Sequence, residues 1–384
     1  MIYFFIIAVL FFFIYLYDIG IFGIGKIYAI TFILMLLVLT AGLSYRVGID
    51  AMRYSEDFVY EPNLFELSTF DFAESKSDPL WIFFSSIFRT MSDNFMYLHL
   101  VHAIIINSCI FYFIYKYSTK PFTCITIYFL SFYLFFNFET LRESLAVAVF
   151  LFSYKSLRDK KWLKYYTISI IVFFIHSSAS FVFFIPLLIR IMQIKNWIPI
   201  VLIGGGIFIL GRNINEIVLN VLPMLSLNER MLYKLGVYFG RDEIGVSVVV
   251  LLKNVVLPIT VLAFDKFILK SKSEFTPVTK LFLLLGVVSM VIPVVDRLLN
   301  YLIVFYIVHL TNSIFKIADL FELRVVKMNV LLMLIFYFTF GPISWLFTID
   351  DRISEYNYNR YFPYSFYPLN DEYETREMFY KNGS

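Results

Sequence analysis

Apolar runs of membrane-spanning length recur along almost the whole chain, and they limit its possible folds more than any other feature. A helix needs about 20 apolar residues to cross the hydrocarbon core of a bilayer. Lipid offers the backbone no water to bond with, so only helices and closed barrels span it. The composition agrees, because 60% of the residues are hydrophobic and 20% are aromatic, more than soluble domains carry. We therefore predict an all-α polytopic membrane protein.

The apolar runs predict about twelve transmembrane helices. Their approximate positions are 1–17, 27–45, 95–115, 121–138, 142–157, 162–176, 178–193, 197–211, 244–265, 281–295, 298–315 and 328–347. The short runs 162–176 and 178–193 predict a tight or broken hairpin. The runs follow one another without a soluble insertion, so residues 1–384 are predicted to form a single integral membrane domain.

The charges between the runs predict the orientation of the helices. Cytoplasmic loops of membrane proteins are enriched in Lys and Arg. Alternating the spans from the lysine-rich connections 155–164 and 266–280 places both termini outside. The inner connections then hold 17 basic and 6 acidic residues, and the outer segments hold 14 basic and 23 acidic residues. The outer segments include the loops 46–93 and 212–243 and the tail 350–384.

Lysine and arginine are distributed differently across the two predicted faces. Of the 17 inner cations 14 are lysine, whereas 11 of the 14 outer cations are arginine. Lysine suffices for topology, but guanidinium is a planar fork that binds phosphate bidentately. The outer face is therefore predicted to bind phosphate or pyrophosphate. The alternative is that these arginines pair with the outer carboxylates.

The first outer loop places charged groups directly at the membrane surface. Gly48 lets the chain turn out of the helix that is predicted to end near Tyr45. The turn puts Arg46, Asp50 and Arg53 within reach of a lipid headgroup. Further along the loop, residues 79–91 are apolar but too few to cross. We predict an interfacial or re-entrant helix there.

Ionisable residues also mark the outer entrance of the span at 142–157. The i,i+3 and i,i+4 spacings predict that Glu139 shares one helix face with Arg142 and Glu143. Such residues at a span entrance usually face the protein or a watery cavity rather than lipid. A structural ion pair at the helix end is the alternative.

The histidines fall into two predicted groups. His176 lies at the apex of the short hairpin beside small hydroxyl residues, where an imidazole suits proton acceptance. A packing histidine is the alternative there. His99 and His102 are three residues apart, but no third ligand with suitable spacing accompanies them, so packing and not metal binding is predicted. His309 lies deep in a span and is predicted to be a hydrogen-bonding core residue.

The aromatic tail at 357–368 interleaves Tyr and Phe with Arg360. Such a segment can stack on sugar rings and hold phosphate, or it can tie the tail to the membrane interface. The sequence leaves both interpretations open.

The order of these motifs resembles that of a known family. It runs Arg46-x-Gly48-x-Asp50-x-x-x-Tyr54, Pro79 to Phe84, Arg142-x-x-Leu145-Ala146, Phe174-x-His176-Ser177, a late outer Arg, and Pro363-Tyr364. This order is similar to that of the EpsG and Wzy-type polymerases of bacterial surface polysaccharides, over nearly the whole chain. Each motif alone is degenerate, and the match rests on their order and their shared side of the membrane.

The resemblance implies a GT-C-like helical bundle in the bacterial cytoplasmic membrane. Such a polymerase of O-antigen, capsule or exopolysaccharide transfers an undecaprenyl-pyrophosphate-linked glycan onto the next lipid-linked repeat unit. The implied partners are this donor and acceptor, membrane lipid, and a chain-length regulator and flippase of the same pathway. No nucleic acid, cofactor or metal is expected.

Each predicted site residue receives a role in this chemistry. The residues expected to bind the pyrophosphate or the glycan are Arg46, Arg142 and Arg297, then Arg53, Arg360, Tyr54 and Tyr361. The candidates for the base that accepts the proton of the acceptor hydroxyl are His176, Asp50 and Glu143, of which His176 is favoured. With no second nucleophile evident, direct attack is expected to invert the anomeric configuration.

Three other functions compete with this interpretation. A ligase that moves the finished glycan onto another acceptor is the nearest. A flippase or transporter needs charges along a path through the membrane, whereas nearly all charges here lie at span ends, with Lys253 and His309 as exceptions. A pure assembly scaffold leaves the outer arginines without a role.

Overall fold

The computed structural model describes residues 2–20, 22–72, 75, 77–193, 248–290, 295–321, 360–369 and 372–383, with single positions at 199, 202, 206 and 292 and scattered ones in 325–336. Every regular element in these ranges is helical, which confirms the all-α prediction. Internal packing divides the chain into two compact units, Met1–Ser180 with Pro342–Ser384, and Phe181–Gly341. That the whole chain acts as a single membrane domain stays a prediction.

The first unit consists mainly of helices, which short connections join except for the long loop at 59–78. They are α1 (Ile2–Phe13), α2 (Lys26–Gly42), α3 (Ile49–Phe58), α4 (Pro79–Met91), α5 (Met96–Tyr117), α6 (Pro121–Tyr128), α7 (Leu141–Leu151), α8 (Ser153–Arg158) and α9 (Trp162–Ile175). π-Helical turns extend α1 over Ile14–Ile19 and follow α6 at Phe129–Tyr133 and Phe135–Glu139.

Helix α5 lies at the centre of the first unit, between α2 and α7, and α7 packs in turn against α9. Gly42 allows α2 and α5 to approach closely, because a Cβ atom at this position would lie 2.6 Å from the Cα of Leu100. Small residues permit such contacts between membrane helices. Helix α4 also packs against α9, which brings the first long loop to the end of that helix.

A break in the helix between Glu139 and Leu141 corrects one prediction. Thr140 has non-helical angles (φ −121°, ψ 54°), and α7 begins only after it. The predicted common face of Glu139 with Arg142 is therefore wrong, since the i,i+3 rule requires a continuous helix. The two side chains instead contact different parts of the first outer loop.

Two buried histidines of α5 secure this break. The Nε2 atoms of His99 and His102 lie 2.8 Å from the carbonyl oxygens of Asn137 and Leu141. A carbonyl only accepts hydrogen bonds, so Nε2 carries the proton in both rings. The packing interpretation of these histidines is confirmed, and their donors satisfy carbonyls beside the interruption.

The turn after α2 follows the prediction in part. Gly48 has a φ of +84°, and a Cβ atom there would lie 2.8 Å from the Cβ of Phe138, so this turn requires glycine. Helix α2, however, ends at Gly42 rather than near Tyr45. Arg46 also adopts a left-handed conformation, with φ +50°. Two left-handed residues therefore redirect the chain into α3.

The described residues of the second unit form five α-helices. They are α10 (Ile185–Met192), α11 (Val248–Leu251), α12 (Leu257–Ala263), α13 (Thr276–Ser289) and α14 (Asp296–Ala318), and π-helical turns follow α11 and α12 at Leu252–Val256 and Phe264–Ile268. Helix α13 packs against both α10 and α14. The ring of His309 on α14 is fully buried and bonds to Asp265 and Thr279, which confirms the predicted core role.

The tail returns to the first unit and packs on the turn between α2 and α3. Backbone hydrogen bonds join Tyr45 to Ser365, Gly48 to Arg360 and Tyr367 to Leu43. A final helix, α15 (Glu374–Gly383), follows. These contacts commit the backbone of the tail to a neighbouring segment, and its two predicted roles, sugar stacking and attachment to the membrane interface, stay predictions.

The described residues include three helices long and apolar enough to cross a membrane, Ile2–Ile19, Met96–Tyr117 and Asp296–Ala318. Five shorter apolar helices accompany them, Lys26–Gly42, Pro121–Tyr133, Trp162–Ile175, Ser177–Met192 and Thr276–Ser289. The predicted runs 197–211 and 328–347 lie largely outside the described residues. The number of twelve crossings and the GT-C-like arrangement stay predictions.

Two local predictions gain support from the helix bounds. Helix α4 covers Pro79–Met91, the residues predicted to form a helix in the first outer loop. Its interfacial or re-entrant placement stays a prediction. The short hairpin is interrupted at His176, which has extended angles between α9 and the 3₁₀ helix Ser177–Phe184.

Candidate functional site

The first unit gathers several predicted site residues into one polar cluster. We call it the Arg142 cluster, and its members are Tyr54, Glu61, Ser77, Asp78, Arg142 and His176. Four elements supply them, namely α3, the loop to α4, the first turn of α7 and the end of α9. The packing of α4 against α9 accounts for this convergence. Charged groups that are distant in sequence therefore face one another.

Arg142 lies at the centre of this cluster. Its Nε donates to the Tyr54 hydroxyl at 3.2 Å, and its Nη1 lies 3.5 Å from Oγ of Ser77. The guanidinium also lies 5.7 Å from the centre of the Tyr54 ring, within cation–π range. Its position in the first turn of α7 is unfavourable for a cation, because the helix dipole is positive there. The surrounding acids and the Tyr54 ring compensate for this cost.

His176 and Asp78 form the second part of the cluster. Nδ1 of His176 lies 3.4 Å from Oδ2 of Asp78, and the two side chains are 12% and 17% exposed. Both ring nitrogens of His176 are buried, and neither completes a hydrogen bond within the described residues. A buried imidazole nitrogen without a partner can accept a hydrogen bond from a ligand hydroxyl through its lone pair, or donate one through its proton.

The pKa values of the two acids in the cluster, Glu61 and Asp78, are shifted in opposite directions. Burial raises the pKa of Glu61 above its usual range, and hydrogen bonds from Ser85 and Ser77 only partly oppose this effect. Burial also opposes ionisation of Asp78, but the nearby His176 and Ser177 hold its pKa below the usual range. The surroundings therefore favour the ionised form more strongly at Asp78 than at Glu61.

A second group of polar residues adjoins the start of α3. We call it the Glu139 cluster, and its members are Asp50, Glu139, Arg360 and Tyr361. The Oε2 atom of Glu139 accepts a hydrogen bond of 3.3 Å from the backbone N–H of Asp50, in the first turn of α3. A carboxylate there stabilises the helix through its dipole.

Glu139 is the strongest candidate for a titrating acid in the first unit. It lies just beyond the apolar run 121–138 and is 4% exposed. Burial and the nearby Asp50 charge raise its pKa to about 7, while Arg360 acts in the opposite direction. Glu139 therefore exchanges a proton close to neutral pH. Asp50 itself is exposed at the surface.

Arg46 is engaged by the tail. Its Nε and Nη2 atoms each donate a 2.5 Å hydrogen bond to the carboxylate of Glu377, and Glu56 lies 3.6 Å away. The Glu377 carboxylate keeps the pKa of Arg46 above its usual range despite burial. This pairing is the alternative that the sequence left open for the outer arginines. A ligand phosphate must displace Glu377 to bind here.

The other predicted residues lie apart from the Arg142 cluster. Arg53 is exposed on α3, 4.0 Å from Asp57. Glu143 is buried in the first turn of α7, where an acid suits the helix dipole. The ring of Tyr361 is buried against Phe138, and its predicted part in binding the glycan stays a prediction.

Arg297 belongs to the second unit. It is exposed at the second position of α14. Its predicted grouping with Arg142 stays a prediction. Four further outer arginines, Arg212, Arg230, Arg241 and Arg352, lie outside the described residues.

Sequence reasoning missed Glu61, Ser77 and Asp78. The Asp78-Pro79 pair is a recognisable start signal for a helix, because Asp is favoured at the N-cap and Pro at the first helical position. That signal predicts the start of α4 but not the direction of the carboxylate. Only the packing of α4 on α9 brings Asp78 to His176.

The arrangement supports acid–base and charge-stabilising chemistry. Asp78 and His176 supply a carboxylate and an imidazole in contact, and Arg142 supplies a fixed cation beside them. Within the described residues, His, Cys, Asp and Glu side chains form no group of three suited to a metal ion.

Comparison with known proteins places the chain in a family context. A model of the family described as EpsG family matches residues 26–366. The match begins at the first residue of α2 and ends in the tail segment that packs on the turn after α2. No curated protein and no solved structure matches the chain.

Proposed function

Since the chain belongs to the EpsG family, we propose that it is a membrane-embedded glycosyltransferase that polymerises a bacterial surface polysaccharide. Its donor is a glycan linked through pyrophosphate to undecaprenol, and its acceptor is the next lipid-linked repeat unit. The reaction takes place at the outer face of the cytoplasmic membrane. One observation carries the proposal beyond the family, namely the convergence of Arg142, Asp78 and His176 in one cluster.

The reaction is a direct displacement at the anomeric carbon of the donor glycan. The acceptor hydroxyl oxygen forms the new glycosidic bond while the bond from the anomeric carbon to pyrophosphate breaks. Undecaprenyl pyrophosphate leaves with the electron pair, and Nε2 of His176 takes the hydroxyl proton. A single displacement inverts the anomeric configuration.

Arg142 stabilises the charge that develops on the leaving pyrophosphate. Fixed donors that are aimed at developing charge contribute strongly in a partly dehydrated site. Contacts with Tyr54 and Ser77 hold the guanidinium in one orientation before the substrate arrives. Arg297 and Arg360 are further candidates for the phosphates, and Arg46 joins them only when its pair with Glu377 opens. Asp50 and Glu143 remain alternatives to His176 as the base.

Deletion of the gene tests this proposal. We expect gel analysis of the surface polysaccharide to show single repeat units in the mutant and a ladder in the wild type. Undecorated acceptor with free lipid-linked polymer would indicate a ligase instead. Repeat units trapped inside the cell would indicate a flippase. Either result would overturn the polymerase assignment.

A further inference from the structure

Asp78 occupies a helix-capping position without serving as a side-chain cap. It is the N-cap residue of α4, and its backbone oxygen accepts a 3.0 Å hydrogen bond from Ile82. An N-cap carboxylate normally accepts from the backbone N–H of the second or third helical residue. The side chain of Asp78 makes no such bond. Capping therefore does not explain the direction of this carboxylate.

The carboxylate instead faces the end of α9. Its Oδ2 lies 3.4 Å from Nδ1 of His176, and the Ser177 hydroxyl donates to it as well. Two consecutive residues after α9 thus contact one side chain of the first outer loop. Distances between catalytic groups are often long before substrate binds and shorten in the complex.

His176 is presented in a way that suits this partner. Its extended backbone (φ −152°, ψ 109°) ends α9 and turns the ring out of the helix. Nδ1 approaches Asp78 to 3.4 Å without completing a hydrogen bond, and Nε2 is likewise without a hydrogen-bond partner in the described part of the chain. A proton held on Nδ1 leaves the Nε2 lone pair available to a hydroxyl.

The charges around Asp78 keep it in the form that this role requires. Arg142 acts on Asp78 electrostatically and is itself held by Tyr54 and Glu61. The facing titratable groups are therefore His176, Arg142, Glu61 and Tyr54. One cation, one imidazole and a second carboxyl group therefore surround the Asp78 carboxylate, and Arg142 is the group that offsets its negative charge.

We propose that Asp78 is a positioning residue that holds His176 in the tautomer with Nδ1 protonated and Nε2 open towards the acceptor hydroxyl. The inference rests on the proposed function, because it assigns a partner to the proposed base. A carboxylate that orients a catalytic imidazole also stabilises the imidazolium that forms during the reaction.

Asp78→Asn tests the role directly. Asn caps helices about as well as Asp, so α4 should still begin at Pro79. It removes the negative charge, and its amide nitrogen can favour the wrong imidazole tautomer. We expect polymerisation by the purified protein to fall by about 100-fold or more, with an unchanged melting temperature. The substrate is the lipid-linked repeat unit that accumulates in the deletion strain.

Rescue by a charge-conserving variant separates positioning from a structural role. Asp78→Glu keeps the charge and should recover part of the activity. Asp93→Asn is the matched control, because Asp93 is an exposed acid just after α4 that pairs with Arg89. It should behave like the wild type.

Combination with His176→Ala distinguishes the possible failures. If Asp78 acts through His176, the double variant should be no slower than His176→Ala alone. Multiplying effects, or no recovery of activity in Asp78→Glu, would overturn the positioning role. Normal activity of Asp78→Asn beside an inactive His176→Ala would also overturn it and leave the proposed base intact. Normal activity of His176→Ala would reject the proposed base itself.

Discussion

The two units of this chain each contain a histidine next to an aspartate, and the two pairs differ in how completely they are satisfied. In the second unit, Nε2 of His309 lies 2.8 Å from Asp265, and Nδ1 lies 2.7 Å from the Thr279 hydroxyl. In the first unit, Nδ1 of His176 lies 3.4 Å from Asp78, and neither ring nitrogen completes a hydrogen bond among the described residues.

The surroundings of the carboxylates sharpen this difference. Asp265 also accepts hydrogen bonds from Ser313 and Thr276, so each of its oxygens has a donor. A fully satisfied buried network fixes one packing arrangement and leaves nothing for a ligand. The Asp78–His176 pair is incompletely satisfied and only partly covered. The same residue types therefore indicate a structural element in one unit and a reactive site in the other.

The largest effects are expected from replacing His176 and His309 by alanine, one at a time. His176→Ala should lower polymerisation by ~10²- to 10⁴-fold, the usual contribution of a general base, and should leave the melting temperature nearly unchanged. His309→Ala breaks a buried pair and should destabilise the protein by ~3 to 5 kcal/mol. Activity per folded molecule should survive. Thermal unfolding in detergent and polymerisation of purified repeat units measure the two quantities.

The opposite pattern would break the comparison. If His176→Ala unfolds the protein and His309→Ala abolishes turnover in a folded one, satisfaction of hydrogen bonds does not separate the two roles.

A variant with a smaller change, Thr279→Val, removes one hydroxyl from the His309 network. It should cost ~1 to 3 kcal/mol of stability without altering turnover.

A smaller effect is expected from changing Arg142, the arginine beside the Asp78–His176 pair. Arg142→Lys keeps the positive charge near Asp78 but loses the forked contacts to Tyr54 and Ser77. One lost hydrogen bond to a charged group is worth ~1.5 to 3 kcal/mol. We therefore expect a ~10- to 100-fold loss of rate, measured with saturating lipid-linked repeat unit.

Arg89→Lys is the matched control for this substitution. Arg89 is an arginine of the same predicted face, at the end of α4, and it pairs with Asp93. It should retain the wild-type rate. Equal losses in both variants would show that total charge matters rather than the position of the guanidinium.

The sequence predicted the helical class and several element bounds because these follow from local patterns. The apolar run and Pro79 together define α4, and Gly48 marks the turn after α2. The family resemblance drawn from the order of motifs is confirmed by the match over 26–366. Local pattern and motif order thus carried much of the interpretation.

The site was predicted less well because its contacts join distant segments. His176 and Arg142 were singled out individually, but their link through Asp78 depends on how α4 packs against α9. The helix period placed Glu139 beside Arg142, and Thr140 overrides that period. The lysine–arginine split did not reveal that Arg46 pairs with Glu377, since the partner lies 331 residues away.

The smallest expected effect concerns Glu139, a buried acid of which only one carboxylate oxygen has a hydrogen-bond partner within the described residues. Its Oε2 bonds to the N–H of Asp50, whereas Oε1 has no hydrogen-bond partner within the described residues. Its pKa rises from the ordinary 4.5 to about 7, first through burial and then through Asp50. The folded state therefore holds this proton more tightly than the unfolded state does.

The sign of the pH dependence follows from this difference. The stability contributed by protonated Glu139 is fully present below pH 4.5 and is lost as the pH rises through about 7. Between about pH 6 and 8 the wild type should lose ~1 kcal/mol. Glu139→Gln keeps an oxygen for the Asp50 N–H and stays neutral, so its melting temperature should vary less over this range. Parallel pH curves for the two proteins would show that Glu139 is not the titrating group. Glu139, with one carboxylate oxygen lacking a hydrogen bond, would then not lower the stability of the protein as the pH rises. Its contrast with the fully hydrogen-bonded Asp265–His309 network would be weaker.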